Sequence, residues 1–323
     1  MNSIANKKTT KAAMRKPALA ADGQQQPKTG EDQNGLRESV RGNATSRFNK
    51  CGARKDLQEK GIRVGGTKEW AETNCNIVLG CEHGCRYCYA RSMAYQFGRI
   101  KSYDEWGDTY NCLNEEEVQK ARKDYGGTVM FPTTHDITPQ FLEPCVQVLY
   151  KLLDAGNRVL IVTKPHFVCT ERLCREFSDF KSKILYRFTI GAMDDEVLAY
   201  WDVNSPLFGE RFKCLRHAHQ KGFATSVSVE PMLDPPNAVK LFHRLKPHVT
   251  DSIWLGKMNQ MRKRVQPRTD AERKACDRLE GQQSDDRIQK IFGQLKDEPL
   301  VRWKDSIKRV MGLKLAEEAG MDQ

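Results

Sequence analysis

"CEHGCRYCYAR", residues 81–91, sets Cys81, Cys85 and Cys88 within eight positions of one another. What the three thiols hold, and where the chain carries them, decides the fold. They follow directly on "CNIVL" (75–79), the first of six short β-branched runs. The others are "GTVMFPT" (127–133), "RVLIVTK" (158–164), "ILYRFTI" (184–190), "ATSVSVE" (224–230) and "SIWLGK" (252–257). Between them lie stretches of helical periodicity, such as "TPQFLEPCVQVLYKLLDAG" with Gly156 as its stop and "GERFKCLRHAHQKG" ending at Gly222. Strands alternating with helices imply a parallel sheet, because parallel neighbours need crossover connections. The sequence therefore predicts an α/β fold, either an open sheet or a partial (β/α)6 barrel. In both, the chemistry belongs at the carboxyl ends of the strands, and the cysteine loop is expected at the first of them.

The chain is long enough, at 323 residues, for a sizeable core. It shows no apolar run of membrane-spanning length and no apolar signal-peptide centre near its start, so the expected location is cytoplasmic, with no membrane partner. An odd number of cysteines, eleven, suits a reducing compartment better than a disulfide framework. Cys112, Cys145, Cys169, Cys174, Cys214 and Cys276 are read as buried structural thiols.

Net charge is +11 but unevenly placed. Residues 1–50 hold ten Lys and Arg against four Asp and Glu, and residues 257–323 hold sixteen against twelve. The middle, with the cysteines, is nearly neutral. Residues 1–45 lack the apolar content to fix a conformation and are expected to be a disordered basic tail. Residues 46–259 form the expected core. Residues 260–323, polar and with no strand evident, are expected to be a helical C-terminal extension.

Three thiols at this spacing allow two kinds of centre. A structural zinc site needs a fourth ligand, for which Cys75 or His83 is available. An iron–sulfur cluster held by three cysteines instead keeps one iron open to a non-protein ligand. With basic ends, the zinc alternative describes a non-enzymatic nucleic-acid-binding module.

C-x-x-x-C-x-x-C after the first strand of a six-unit array, with Tyr87 before the third cysteine, resembles the radical S-adenosylmethionine superfamily. Within it, "NIVLGCEHGCRYCYAR" is similar to the spore photoproduct lyase-like branch, and "RGNATSRFNKCG" (41–52) resembles that branch's lead-in. The resemblance runs from about Arg41 to Asn259. It implies a partial (β/α)6 barrel and a [4Fe-4S] cluster on Cys81, Cys85 and Cys88. The open iron would bind S-adenosylmethionine, which is cleaved reductively to a 5'-deoxyadenosyl radical that abstracts hydrogen from substrate. A reductase or flavodoxin-type electron donor is implied as partner. A nucleic-acid base is the suggested substrate, with a protein or small molecule as the alternative.

The resemblance also gives roles to residues at the strand ends. Lys164 stands where the branch has a lysine, suited to the S-adenosylmethionine carboxylate. Thr189 stands at a hydroxyl position. Tyr87, Thr134 and Asp136 fall among the cofactor contacts. Glu230 ends an apolar strand, where an acid must be paired or liganded, and Lys257 and Asn259 end the sixth strand similarly. Tyr89 can relay hydrogen or pack on the cofactor, so Tyr89 and Glu230 are the catalytic candidates. One departure matters. The lyases carry a hydrogen-returning cysteine just ahead of the aspartate, where this chain has Thr133 and Thr134.

Overall fold

The computed structural model describes residues 66–320. The N-terminal tail expectation and the lead-in at 41–52 lie outside the described residues. Among the described residues, nine short strands run β1 (Thr73–Asn74), β2 (Val78–Leu79), β3 (Cys112–Leu113), β4 (Thr128–Phe131), β5 (Arg158–Thr163), β6 (Ile184–Thr189), β7 (Ala224–Val229), β8 (Ile253–Leu255) and β9 (Val301–Trp303). Seven of them form one sheet in the order β1-β4-β5-β6-β7-β8-β9, every pair parallel. The α/β class and five of the six expected strands are found where the sequence places them.

Two details differ. The first strand of the sheet is Thr73–Asn74, extended by the Cys75 N–H donating to Met130 O at 3.0 Å. The apolar Val78–Leu79 leaves the sheet and pairs antiparallel with Cys112–Leu113. Asn76 explains the departure: its side chain turns across to the end of β4, accepting from the N–H groups of Thr133 and Thr134 at 2.7 and 2.8 Å. The C-terminal part is largely helical, as expected, but it also supplies β9, a seventh parallel strand beside β8. Three residues are too short to show a period of two.

The crossover helices bury one stripe against one face of the sheet. Leu142–Asp154 buries Cys145, Val148, Leu149, Leu152 and Leu153 and stops at Gly156, whose φ of +98° suits glycine. Val159 and Ile161 of β5 and Ile184, Tyr186 and Phe188 of β6 join this apolar core. The alternate residues, Leu160, Val162, Leu185 and Arg187, face the other side, as a pleat of period two requires.

That inner side is curled. Trp70, which leads into β1, meets Trp254 of β8 at 5.6 Å between ring centroids. Five strand spacings on a flat sheet would separate them by about 24 Å. The sheet therefore closes most of a barrel, as expected of a partial barrel. Lys304, just past β9, bridges toward the opposite edge by donating to Gly66 O at 3.2 Å and pairing with Glu69 at 2.8 Å.

Candidate active site

At the carboxyl ends of the strands the barrel opens into a cavity of about 430 Å³. Cys81, Cys85 and Cys88 all line it, together with Tyr87, Tyr89, Thr134, Asp136, Lys164, Thr189 and Glu230. Every site residue expected from the sequence thus faces one space. The loop that brings the cysteines there depends on Gly80, at φ +93°, where a Cβ would stand 1.5 Å from Tyr110 O. No other residue permits that close approach.

Cys88 caps the helix Tyr89–Gln96, its Sγ accepting from Arg91 N at 3.4 Å. Cys85 Sγ lies 3.8 Å from Ser205 Oγ. With the sulfurs turned to these local partners, no ready chelating group of three His, Cys, Asp or Glu side chains stands among the described residues. The donor chemistry nonetheless fits an iron–sulfur group. Burial pushes the Cys85 thiol up to about 12, against the pull of Lys164, and burial together with Asp136 and the other two thiols also raises Cys81 well above the usual thiol value. Thiols crowded in this way ionise when a strongly positive centre binds them.

Among the described residues, neither of the two fourth ligands expected for zinc is free to join the thiols. His83 Nε2 lies 2.8 Å from His166 Nε2 and its Nδ1 lies 3.2 Å from Asp136, so both ring nitrogens are engaged. Cys75 belongs to the apolar core on the helix-covered face of the sheet.

Asp136 holds the wall together. Its carboxylate accepts from Ile137 N at 2.9 Å, from Lys164 N at 3.1 and 3.2 Å, and from the Thr163 hydroxyl. Burial works against its ionisation, but His83, Lys164 and Thr163 together keep it well below the usual carboxylate range. His135 beside it accepts from Ile77 N at 3.1 Å, and burial pushes it down to about 4, so it is neutral.

The tyrosines are anchored through their hydroxyls. Tyr87 donates to Asp202, which forms a buried pair with Arg211 at 2.8 Å. Tyr89 donates to Thr133 O at 2.5 Å. The Lys164 ammonium lies 5.7 Å from the Tyr87 ring centroid, and no carboxylate stands within ion-pair range of it among the described residues. Burial opposes its charge, but the neighbouring Cys85, Tyr87, Asp202 and Asp136 raise it well above the usual lysine value.

Glu230 lies 3.6 Å from Lys304, the cation already paired with Glu69. Lys257 lines the cavity but turns its ammonium to Asp285 at 3.2 Å. Sequence reasoning missed Lys304, Arg264 and Asn76, which also shape the site. Lys304 carried the signal used for Glu230, a charged residue ending a short apolar run ("LVRWK"), hidden here by flanking helices. No helix among the described residues is long and apolar enough to cross a membrane.

Residues 75–245 match the family model of the Radical SAM superfamily. The protein ORF301 of Acidianus two-tailed virus is 27% identical over 176 residues, which make up 51% of this chain and 57% of that protein. The chain thus spans less than two thirds of that relative's length. Among solved structures, a mutant spore photoproduct lyase aligns with a TM-score of 0.49 at 14% identity, over 76% of this chain and 79% of its own. SuiB of Streptococcus suis, bound to S-adenosylmethionine, aligns with a TM-score of 0.37 at 10% identity, over 72% of this chain and 45% of its own.

Proposed function

Because this chain belongs to the radical SAM superfamily, whose members use a [4Fe-4S] cluster and S-adenosylmethionine, we propose that the cavity at the carboxyl ends of its sheet abstracts a hydrogen atom from a nucleic-acid base. The observation that carries this reading is the meeting of three cysteines and an unpaired Lys164 on one cavity wall. Cys81, Cys85 and Cys88 would hold the cluster. When bound, the two cofactors supply reductive cleavage of the sulfonium and hydrogen-atom abstraction.

The chain supplies position. Lys164 pairs with the carboxylate of S-adenosylmethionine, and Thr134 and Thr189 offer hydroxyls to its polar groups. Asp136 acts as a positioning residue, fixing the Lys164 peptide and the His83 ring. Tyr87 and Tyr89, tied down by their hydroxyls, offer ring surface for packing. Glu230 contacts the substrate from the β7 end. The enclosing strands and the Glu69–Trp70 segment keep water from the reacting atoms. Reduction requires a one-electron donor, for which a flavodoxin-type protein is proposed. Photoproduct repair is not the reaction proposed, because the O–H bonds of Thr133 and Thr134 are too strong to return a hydrogen atom as a thiol does.

The test begins with full-length protein purified without oxygen. It should be brown, carry about four irons per chain and release 5'-deoxyadenosine from S-adenosylmethionine on reduction. Deuterium from a labelled oligonucleotide should then appear in that product. Colourless protein with zinc and no cleavage overturns the cofactor assignment; cleavage with label arriving only from peptides or small molecules overturns the substrate.

A further inference from the structure

Four cations line the cavity, Lys164, Lys257, Arg264 and Lys304, and their partners set them apart. Lys257 is paired with Asp285, and Lys304 with Glu69 and Glu230. Lys164 is committed to the cofactor carboxylate in the function proposed above. Arg264 remains. Its guanidinium has no hydrogen-bond acceptor and no carboxylate within ion-pair range among the described residues; its nearest ring is Tyr89, 6.0 Å from the centroid. Glu230 is close enough to act on it electrostatically but leans to Lys304. Burial disfavours its charge, with Glu230, Cys88 and Tyr89 opposing. An unmatched, half-buried guanidinium is costly unless a ligand completes it.

The backbone around Arg264 is also unusual. It rides on the five-residue helix Met261–Val265, which is bracketed by Gln260 at φ 52° and Gln266 at φ 50°. Left-handed conformations are disfavoured for non-glycine residues. They persist where the surroundings hold them, here through Met261 and Val265, which pack in a buried cluster with Cys85, Tyr87 and Met258. The cluster that seats two residues of the thiol loop therefore also seats Arg264 at the mouth.

We infer that Arg264 receives an oxyanion of the substrate, and specifically a backbone phosphodiester of a nucleic acid, placing the adjoining base beside the thiol wall. A guanidinium matches two phosphate oxygens at once, which a lysine there would not. The inference rests on the proposed function for its choice of phosphate over carboxylate.

Its test measures binding by the reconstituted full-length protein in the presence of S-adenosylmethionine. The probes are a dinucleoside monophosphate, the same dinucleoside with an uncharged methylphosphonate linkage, and an acidic dipeptide. The wild type should prefer the phosphodiester over the neutral analogue by about tenfold or more. Arg264→Gln should abolish that preference, Arg264→Lys should keep part of it, and Lys263→Gln, an exposed charge next door, should leave it intact. Iron content and the unfolding midpoint serve as folding controls. Equal affinity of the wild type for both dinucleosides, an equal loss in Lys263→Gln, or an Arg264-dependent preference for the dipeptide would each overturn the inference. Iron content and 5'-deoxyadenosine release report separately on the underlying function, so its failure is distinguishable.

Discussion

The two ends of the barrel interior both hold cations, but they treat them differently. At the amino end, Arg187 lies between the rings of Trp70 and Trp254, 4.5 and 5.2 Å from their centroids, and donates to Ser226 at 2.9 Å. Lys304, past the end of β9 and on the cavity wall, is matched in the same way by Glu69, Gly66 O and the Trp70 ring at 4.0 Å. Both of these charges are answered by the chain itself. At the carboxyl end, Lys164 and Arg264 have no carboxylate within ion-pair range among the described residues. Burial alone does not distinguish a site from a plug; an unanswered charge does.

The sharpest way to break this comparison is at the thiols. Replacing Cys81, Cys85 or Cys88 with alanine should bring iron content and 5'-deoxyadenosine release to background; a variant that keeps both would remove the carboxyl-end assignment. Among the cations that the chain itself matches, Lys304→Met leaves Glu69 buried without its partner and should lower unfolding free energy by about 3–5 kcal/mol. The double variant Glu69→Gln/Lys304→Met should recover most of that loss. Equal stabilities of the single and double variants would show that the plug does not depend on this pair.

His135 gives a pH dependence of intermediate size. Its folded value of about 4 lies below the ordinary histidine value near 6.5. Above pH 6.5 neither the folded nor the unfolded ring is charged, and the contribution is fully present. As pH falls toward 4 the unfolded chain takes up a proton that the folded site refuses, so stability declines by about 3 kcal/mol over that window. Chemical unfolding between pH 7 and pH 4 checks it against His135→Gln, whose curve should be flatter.

The smallest expected effect is also the most specific. Lys164→Gln should weaken S-adenosylmethionine binding by about ten- to a hundredfold, the worth of one charge-assisted hydrogen bond, and leave the unfolding midpoint nearly unchanged. Arg187→Gln should do the reverse, lowering stability with cofactor affinity intact. If both variants behave alike, the distinction between the two ends fails.

Much of this was legible in the chain. The five central strands announced themselves because both faces of a parallel sheet are buried and read as continuous apolar runs. The cysteine loop was placed correctly because it followed an apolar run, even though that run proved to be a side ribbon and not the sheet strand. Thr73–Asn74 has no strand character of its own; its place comes from pairing with β4. Lys304 escaped because its short apolar run is hidden between helices, and Arg264 because nothing local says that its helical stretch returns to the barrel. The inner face also differed from expectation. Strands read as apolar on both sides carry Arg187, Thr189, Ser226 and Ser228 inward, where they are satisfied by one another or open on the cavity.

The two left-handed glutamines that bracket the Arg264 helix would give the proposed site a route to new substrates. Glycine at 260 or 266 would relieve backbone strain and free the intervening helix to re-aim its arginine, while the thiols and the barrel stay untouched. Diversification of this scaffold, in nature or by laboratory evolution, is therefore expected to collect changes at these two positions before any in the strands, and a selection on alternative oligonucleotides that enriches only strand positions would contradict it.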